Sequence, residues 1–228
     1  IYIVGGFVRD LLLERPVLDF DIVVEGDAIA LATSLQKKFG GKLNSHKRFG
    51  TAKWQIDHLT FPTSVDLGFS PVDLPDSLDL ISARTEFYEF PSALPQVEPS
   101  SIKFDLHRRD FSINTLALRL DGRHFGDLYD FWGGLEDLNS GVIRVLHSLS
   151  FIDDPTRLLR AVRFEQRFSF HIEKRTQQLM EEAHDLIKHV SGDRLRHEIN
   201  LLLLEKDPRP GLLRLNEYDL LSQIHPSL

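Results

Sequence analysis

The 228-residue sequence contains no cysteine. A chain without cysteine forms no disulfide bond, binds no zinc ion through thiolates and has no cysteine nucleophile. It also lacks a run of about 18 apolar residues, the length that a membrane-spanning helix needs. We expect no signal peptide before the first apolar run, residues 1–4. These absences predict a cytoplasmic protein with no membrane partner, whose chemistry depends on side chains other than thiols.

The charge is not evenly distributed. The chain has 27 Lys and Arg residues against 34 Asp and Glu residues, a net charge of −7. An acidic balance argues weakly against a nucleic-acid partner. Residues 28–56, however, contain six cations and no acid, namely Lys37, Lys38, Lys42, Lys47, Arg48 and Lys53. Such a segment forms either a solvated face or a surface that contacts phosphates.

The order of the elements indicates the fold class. Apolar and alternating segments predict strands over a set of short ranges (residues 1–4, 19–24, 51–56 and 78–82) and helices over residues 7–13 and 27–39. Proline-rich residues 57–77 and 86–101 are predicted loops, the first of them an insertion, and the apolar residues 111–120 are predicted to be helical. Four further helices follow, over residues 154–168, 173–188, 191–204 and 208–221. Strands followed by helices indicate an α+β head, residues 1–145, and an all-helical neck, residues 146–228.

A glycine pair separates the first strand from the first helix. Gly5 and Gly6 would let backbone N–H groups approach phosphate oxygens, although a tight turn needs glycine equally well. Arg9 lies one helical turn further and could bind the same phosphates or pair with an acid.

Two acids in the next strand point to metal chemistry. Asp19 and Asp21 are two residues apart, so on a strand they share one face with their Cα atoms about 7 Å apart. Carboxylates this close repel each other unless a cation lies between them. Hard oxygen ligands of this kind suit Mg²⁺ with substrate phosphates, and two such ions can serve nucleotidyl transfer. A solvated acidic strand edge is the alternative.

Several ordered motifs carry a resemblance to a known family. The sequence is similar to the class II tRNA nucleotidyltransferase and poly(A) polymerase family, in the polymerase-β-like nucleotidyltransferase superfamily. The matching segments are GGFVRDLLL, DFDIVV, FGTAKW, LDLISARTEFYEFPSALPQVE, LHRRDFSINTLAL, LYDFWGGLEDL, FIDDPTRLLRAVRF and SGDRLRHE. The resemblance implies a polymerase-β-like head with a mixed β-sheet flanked by helices. It also implies a C-terminal body and tail, so we expect the sequence to be part of a longer protein.

The resemblance assigns a third carboxylate. Asp79 fits that position because the ARTE segment follows it directly, and Asp66, inside the 57–77 insertion, is the rival. The role would be general base, or charge support beside the primer hydroxyl.

The segment 108–110 is predicted to bind the nucleotide. Arg108 and Arg109 could bind a triphosphate, and Asp110 could accept from a ribose hydroxyl. The resemblance supports these roles and adds Asn114, predicted on the same helical face as Asp110. A surface ion-pair cluster is the alternative.

The segment 153–163 offers a way to select bases. Asp154, Arg157, Arg160 and Arg163 follow one another at three-residue spacing, which predicts one charged stripe on a helix. The ordinary meaning of that spacing is a salt-bridged surface. Cytosine and adenine, however, both present an amino donor beside a ring-nitrogen acceptor, so an Asp and an Arg together would accept C and A and reject U and G. The family commonly has Glu where this chain has Asp153.

Four cations are further candidates for binding RNA, and two other sets of residues resemble functional sites but are not expected to be functional. RNA contacts are predicted for Lys47, Arg48, Lys53 and Arg194. A phosphohydrolase-like set, His184, Asp185 and His189, is expected to lie on a surface. Aromatic residues that could stack bases, Trp54, Phe131 and Trp132, are expected in the core instead.

Together these features predict a template-independent RNA nucleotidyltransferase. It would add C and/or A from CTP or ATP to the 3′ end of tRNA, with Mg²⁺ as cofactor and pyrophosphate as product. The alternatives are a poly(A) polymerase of the same family and a catalytically silent RNA- or nucleotide-binding module.

Overall fold

The structure is a computed structural model and describes residues 1–16, 20–56, 75–87, 89, 95–225 and 227. Eleven strands lie within these residues: β1 Tyr2–Val4, β2 Asp21–Val24, β3 Lys42–His46, β4 Thr51–Gln55, β5 Ser77–Ser82, β6 Arg84–Phe87, β7 Gln96–Pro99, β8 Ala117–Arg119, β9 Leu128–Tyr129, β10 Val142–Ile143 and β11 His171–Ile172. The same residues contain ten α-helices: α1 Gly6–Leu12, α2 Ala28–Phe39, α3 Ile102–His107, α4 Gly134–Ser140, α5 Ser150–Asp153, α6 Thr156–Phe168, α7 Lys174–Ala183, α8 Gly192–Leu203, α9 Arg209–Glu217 and α10 Leu220–Ile224.

The chain divides into two compact units. The first unit comprises Ile1–Thr85, Val97–Arg108 and Asn114–Phe131. The second unit comprises Glu86–Gln96, Arg109–Ile113 and Trp132–Leu228. The predicted boundary between residues 145 and 146 stays a prediction.

A mixed sheet forms the framework of the first unit. Its seven strands follow the order β3-β4-β5-β2-β1-β8-β9. Strands β2 and β5 run parallel, whereas the pairs β1–β2, β1–β8, β3–β4, β4–β5 and β8–β9 run antiparallel. The parallel pair at the centre fixes the register of the acids described below.

Helix α2 covers one part of this sheet. The carboxylate of Asp27 caps it by accepting from the Ala30 N–H at 2.9 Å. Its small residues Ala28 and Ala32 are fully buried and pack with Trp54 and other strand residues in one apolar cluster. The indole Nε1 of Trp54 donates to the Gly40 carbonyl at 2.9 Å. Trp54 is therefore a core residue, as its sequence context predicted.

Helices dominate the second unit. The apolar side of α6 is buried through Leu158, Leu159 and Val162, and α6 contacts both α8 and α9. At Gly211 of α9, an added Cβ would lie 3.2 Å from the Leu202 Cδ1 of α8, so the absence of a side chain permits the close approach of these helices. No helix in the described part of the chain is long and apolar enough to cross a membrane.

The predicted fold class is confirmed: the structure is α+β with a mixed sheet. Three local predictions are wrong. Residues 111–120 are not a helix, since a 3₁₀ turn at Ser112–Asn114 is followed by strand β8. A short apolar run buried on all sides does not distinguish strand from helix by its periodicity.

The other two errors concern prolines and a helix break. Within 86–101, strands β6 and β7 form a two-stranded sheet although Pro99 ends β7. The predicted helix 208–221 is two helices, α9 and α10, separated at Asp219, which has a left-handed φ of 55°. The insertion lies outside the described residues from 57 to 74.

Candidate active site

Two of the predicted carboxylates lie side by side in the large sheet. Asp21 pairs with Asp79 across the parallel strands β2 and β5, and Asp79 pairs with Lys53 across β5 and β4. Residues paired across strands project from the same face, with Cβ atoms about 5 Å apart. We call Asp21, Asp79 and Lys53 the carboxylate row. Asp19 and Asp66 lie outside the described residues.

The carboxylate row already contains a cation. The Lys53 Nζ lies 3.1 Å from Asp79 Oδ2, with side chains 50% and 45% exposed. An ion pair this exposed contributes only about 0.2–1 kcal/mol to folding stability. Among the described residues, no group of three or more His, Asp and Glu could hold a metal ion, so a metal site here needs a ligand from outside them.

Arg9 is held firmly beside the glycine turn. It is buried and donates to both oxygens of Asp10 at 2.8 Å, and its Nη1 donates to Asn114 Oδ1 at 2.6 Å. Gly5 takes a positive φ of 70°, which favours glycine. The Gly5 N–H donates to the Leu116 carbonyl at 3.1 Å, so this backbone donor serves the fold. A Cβ on Gly6 would meet Arg9 Nη2 at 3.4 Å, an ordinary contact.

The residues predicted to bind sugar and triphosphate separate into two groups. Arg108 belongs to the first unit, where its Nε and Nη2 donate to Asp105 Oδ1 at 3.1 and 2.8 Å. Asp105 is fully buried and also accepts from the Arg84 N–H at 3.3 Å. Arg109 and Asp110 belong to the second unit. Asn114 does not share a helical face with Asp110, because no α-helix joins them.

Asp110 begins a buried network in the second unit. Its Oδ1 accepts from the Phe111 N–H at 2.8 Å, and its Oδ2 accepts from the Arg160 Nε at 2.9 Å. Arg160 also contacts Glu198 on α8 at 3.4 Å. The Asp110 carboxylate is the main cause that raises the pKa of the Arg160 guanidinium, and Glu198 raises it further. We call Asp110, Arg160, Glu198 and Arg163 the buried ion network.

The stripe on α6 is not a surface feature. Arg157 and Arg163 are each only 6% exposed, which contradicts the expectation of a salt-bridged surface. Arg163 Nη2 lies 3.4 Å from Glu198 Oε2, and burial lowers the pKa of its guanidinium. The three-residue spacing correctly predicted one helix for Arg157, Arg160 and Arg163, but Asp154 lies before α6 in extended backbone. The spacing did not predict the burial of this helix face, where Glu198 on α8 contacts Arg160 and Arg163.

Asp154 and Arg157 have different partners. Asp154 Oδ1 accepts from Thr156 Oγ1 at 2.6 Å and from Arg194 Nη2 at 2.6 Å. Arg157 Nη1 donates to the buried Ser150 hydroxyl at 2.6 Å. Arg194, predicted to bind RNA, thus bonds to Asp154, the acid predicted to select the base. No described residue hydrogen-bonds to the second oxygen of Asp154, Oδ2.

Asp153, beside Asp154, is partly buried. Burial is the main cause that raises the pKa of its carboxyl, and Asp154 raises it further, whereas Arg157 lowers it. His147 Nε2 lies 4.0 Å from Asp153 Oδ2.

The remaining candidates lie away from these groups. Lys47 and Arg48 are exposed on a 3₁₀ turn, Lys47–Phe49, of the first unit. Asp185 and His189 are exposed, and Asp185 pairs with Lys188 at 2.9 Å. Phe131 is exposed, contrary to the expectation of a core position, and stacks near Tyr129 with ring centroids 5.9 Å apart.

Sequence reasoning missed three supporting residues. Ser150, Asp105 and Glu198 are buried and bind predicted site residues. A signal existed for Glu198, because it lies four residues after Arg194 in the SGDRLRHE segment and therefore on the same helical face. Ser150 and Asp105 carried no such signal.

Comparison with known proteins gives matches along the whole chain. Residues 1–144 match a family model described as poly A polymerase head domain, and residues 169–228 match one described as probable RNA and SrmB-binding site of polymerase A. An A-adding tRNA nucleotidyltransferase from Geobacter sulfurreducens is 44% identical over 100% of this chain and 24% of its own length.

Solved structures are similar over nearly the whole of this chain. A CCA-adding enzyme in apo form II superposes with a TM-score of 0.86 at 46% identity, over 99% of this chain and 50% of that chain. The Thermotoga maritima CCA-adding enzyme complexed with tRNA gives a TM-score of 0.81 at 42% identity, over 99% and 48%. This chain thus spans between a quarter and a half of these relatives. The resemblance inferred from the motifs is confirmed, and the chain belongs to the poly(A) polymerase head-domain family.

Proposed function

We propose that this chain carries the catalytic part of a template-independent nucleotidyltransferase acting on the 3′ end of tRNA. It would add C and/or A from CTP or ATP and release pyrophosphate. The observation that carries the proposal is the register of Asp21 with Asp79 beside Lys53, on a half-exposed face of the large sheet. Acids gathered on a partly accessible face favour a reaction with an external ligand.

The carboxylate row fits Mg²⁺. Its donors are carboxylate oxygens, which Mg²⁺ prefers, and Asp79 already accepts a cation in the form of the Lys53 ammonium group. Asp21 would hold the ions together with Asp19. Bound Mg²⁺ would neutralise phosphate charge and favour ionisation of the attacking hydroxyl.

Asp79 would act on the primer. One of its oxygens would accept the proton of the RNA 3′-hydroxyl as the 3′-oxygen attacks the α-phosphorus. The bond from the α-phosphorus to the bridging oxygen breaks, and pyrophosphate leaves. Arg9, fixed by Asp10 and Asn114, would position the phosphates with the Gly6 backbone. Gly5 would shape the turn, and Arg108 and Arg109 would add charge.

Asp110 would bind the sugar. Each carboxylate oxygen has two lone pairs, so Asp110 can accept from a ribose hydroxyl while it bonds to Arg160 and the Phe111 N–H. This acceptor would favour ribonucleotides over deoxyribonucleotides. Arg160 and Arg163 would act through the buried ion network.

Asp154 and Arg157 would select the base. The Asp154 Oδ2 could accept from the amino group of cytosine or adenine, since Arg194 and Thr156 bond to Oδ1. Arg157, steadied by Ser150, would donate to the ring nitrogen. Uracil and guanine present a donor where Arg157 needs an acceptor, so they would be rejected.

A primer-extension experiment tests the proposal. The 228-residue chain and the full-length protein would each be incubated with Mg²⁺, one NTP at a time and tRNA lacking its last one, two or three nucleotides. We expect extension with CTP or ATP and none with UTP or GTP. Asp21→Asn should abolish extension, whereas the control Asp27→Asn, which keeps a capping side chain on α2, should not. Equal activity of the two variants would refute the assignment.

Product length distinguishes the candidate activities. The A-adding relative and the CCA-adding structure are 44% and 46% identical to this chain, so identity does not separate them. The family models instead favour a second candidate, poly(A) addition. One to three added nucleotides would indicate tRNA repair, and a long adenylate tract on any RNA would indicate poly(A) polymerase activity. Binding without extension would indicate a silent module.

A further inference from the structure

A cleft in the second unit lies apart from the residues assigned above to sugar and base. Its volume is about 480 Å³, and it lies where α6 meets the connection from α8 to α9. Its charged lining residues are Arg163, Arg167, Glu205, Lys206, Asp207 and Arg209. Four cations and two acids give this lining a net positive charge.

The innermost cation has unused hydrogen-bonding capacity. Arg163 is 6% exposed, and its Nε has no hydrogen-bond partner among the described residues. Its contacts with Glu198 and Glu205 are long, at 3.4 and 3.9 Å, and the Phe164 ring lies 4.8 Å below the guanidinium. A guanidinium has five N–H donors, and leaving a buried one unused is costly. Because Arg163 lines the cleft, an anion there would offer acceptors to its guanidinium group.

The two acids cancel only part of the positive charge. Glu205 is shared between Arg163 and Arg167, at 3.9 and 3.8 Å. Asp207 is occupied by Arg209, which donates to both of its oxygens at 2.9 and 2.8 Å. Each acid is thus already engaged by at least one cation. Arg209 is also the first residue of α9, a nine-residue helix whose positive end therefore faces the same region.

We propose that this cleft, called the Arg163 cleft below, binds a backbone phosphate of the RNA substrate. Arginine donors in a fork match the oxygens of a phosphate, and the rim cations Arg167 and Lys206 can contact the neighbouring phosphates. RNA is preferred to an acidic peptide because the proposed function supplies an RNA strand, and this inference rests on that function. The bond would anchor the RNA body while its 3′ end reacts elsewhere.

Salt dependence of binding tests this assignment. The affinity of the 228-residue chain for tRNA lacking its terminal nucleotide would be measured by fluorescence anisotropy from about 50 to about 200 mM salt. Neutralising one phosphate-contacting cation lowers the slope of log affinity against log salt by about 1. The double variant Arg167→Gln/Lys206→Gln should therefore lower the slope by about 2 and weaken binding at least about tenfold at the lower salt.

A matched pair of surface cations provides the control. Arg175 and Lys188 are more than half exposed and lie outside the cleft lining. The double variant Arg175→Gln/Lys188→Gln removes the same charge and should leave the slope unchanged. Arg163→Lys, which keeps the buried charge but loses the fork, should weaken binding severalfold while thermal unfolding shows a folded chain.

The outcomes separate the inference from the proposed function. Equal slopes in both double variants would overturn the inference, whether or not the chain extends tRNA. Weaker binding only in the cleft variant would support it, even if extension failed. Inorganic phosphate that stabilises the wild type but not Arg163→Lys, with an unchanged RNA slope, would show a free-anion site and overturn it. A hexaglutamate peptide that binds the cleft without competing with tRNA would do the same.

Discussion

The carboxylate row of the first unit and the buried ion network of the second unit place their charges in different environments. In the first unit, Asp79 and Lys53 of the carboxylate row form an ion pair with side chains 45% and 50% exposed, and Asp21 beside them is partly buried. In the second unit, the buried ion network joins Asp110, Arg160, Glu198 and Arg163, and the side chain of Glu198 is only 7% exposed. Acids and cations thus meet in both clusters, but only the buried ion network removes most of its charged groups from water.

This difference indicates that the carboxylate row binds an external ligand, whereas the buried ion network positions side chains within the protein. An exposed carboxylate contributes little to folding, so its arrangement across three strands is better explained by an external cation. Buried charges need partners within the protein, because an unpaired one is strongly destabilising. We infer that the first unit supplies reactive groups and the second a rigid frame, and each prediction below tests that contrast.

The largest expected effect is on catalysis in the first unit. Asp79→Asn removes the proton acceptor assigned to the 3′-hydroxyl and should lower the extension rate by about 10²–10⁴-fold. Because the side chain is half exposed, the free energy of unfolding should change by less than about 0.5 kcal/mol. Single-turnover extension and urea unfolding measure the two quantities. A large stability loss with intact extension would mean that Asp79 supports the fold and not the reaction.

The next effect is on stability in the second unit. Glu198→Gln removes the carboxylate that contacts both Arg160 and Arg163, and removing one partner of a buried ion pair costs about 3–5 kcal/mol. Urea unfolding should show this loss. Glu217→Gln provides the control, since Glu217 pairs with Arg214 at an exposed position and should contribute less than about 1 kcal/mol. Similar losses in both variants would remove the distinction between exposed and buried pairs.

A smaller effect is expected on base selection. Arg194→Gln removes the guanidinium that holds Asp154 Oδ1 and should lower the preference for CTP and ATP over UTP and GTP by about tenfold. Arg196→Gln is the matched control, because Arg196 is two residues away and pairs only with Asp193 among the described residues. Ratios of kcat/KM for the four nucleotides measure the preference. Unchanged ratios in Arg194→Gln would show that Asp154 needs no such support.

The exposed site was easier to predict from the sequence than the buried frame. Asp21 and Asp79 were identified because strand alternation and ordered motifs place acids on one face, and their pairing follows from the parallel β2–β5 register. The pairing of Asp79 with Lys53 could not be predicted, since the 57–77 insertion separates most of β4 from β5 and register across such a gap has no local signal.

The buried frame depends on contacts between segments that are distant in sequence. The spacing of Arg157, Arg160 and Arg163 predicted one helix face, but whether that face meets solvent or another helix is decided by tertiary packing. Glu198 approaches Arg160 from a position 38 residues later. The periodicity of a sequence predicts the faces of one helix, whereas the buried ion network depends on how α6 and α8 pack together.

The smallest expected effect is on the pH dependence of stability at Asp153. Its carboxyl is partly buried, and its one described ion pair, with His147, is long at 4.0 Å. An acid whose pKa is raised on folding holds its proton more tightly in the folded chain than in the unfolded chain. Its contribution to stability is fully present below the unfolded pKa and is lost as the pH rises through the folded pKa. Asp153→Asn removes this titration, so it should stabilise the chain relative to wild type at pH values near neutral. The advantage should shrink as the pH falls toward about 3.8, the ordinary pKa of Asp.

Urea unfolding across that pH range measures the difference between Asp153→Asn and wild type. His147 lies 4.0 Å from Asp153 and is charged only when protonated, so the comparison should be repeated in a His147→Gln background. An advantage that persists unchanged at low pH in both backgrounds would mean that packing, and not the buried charge, sets the stability at this position. A shrinking advantage would show that burial of the Asp153 charge sets its contribution to stability. Asp79 in the first unit, in contrast, is expected to affect extension and not stability.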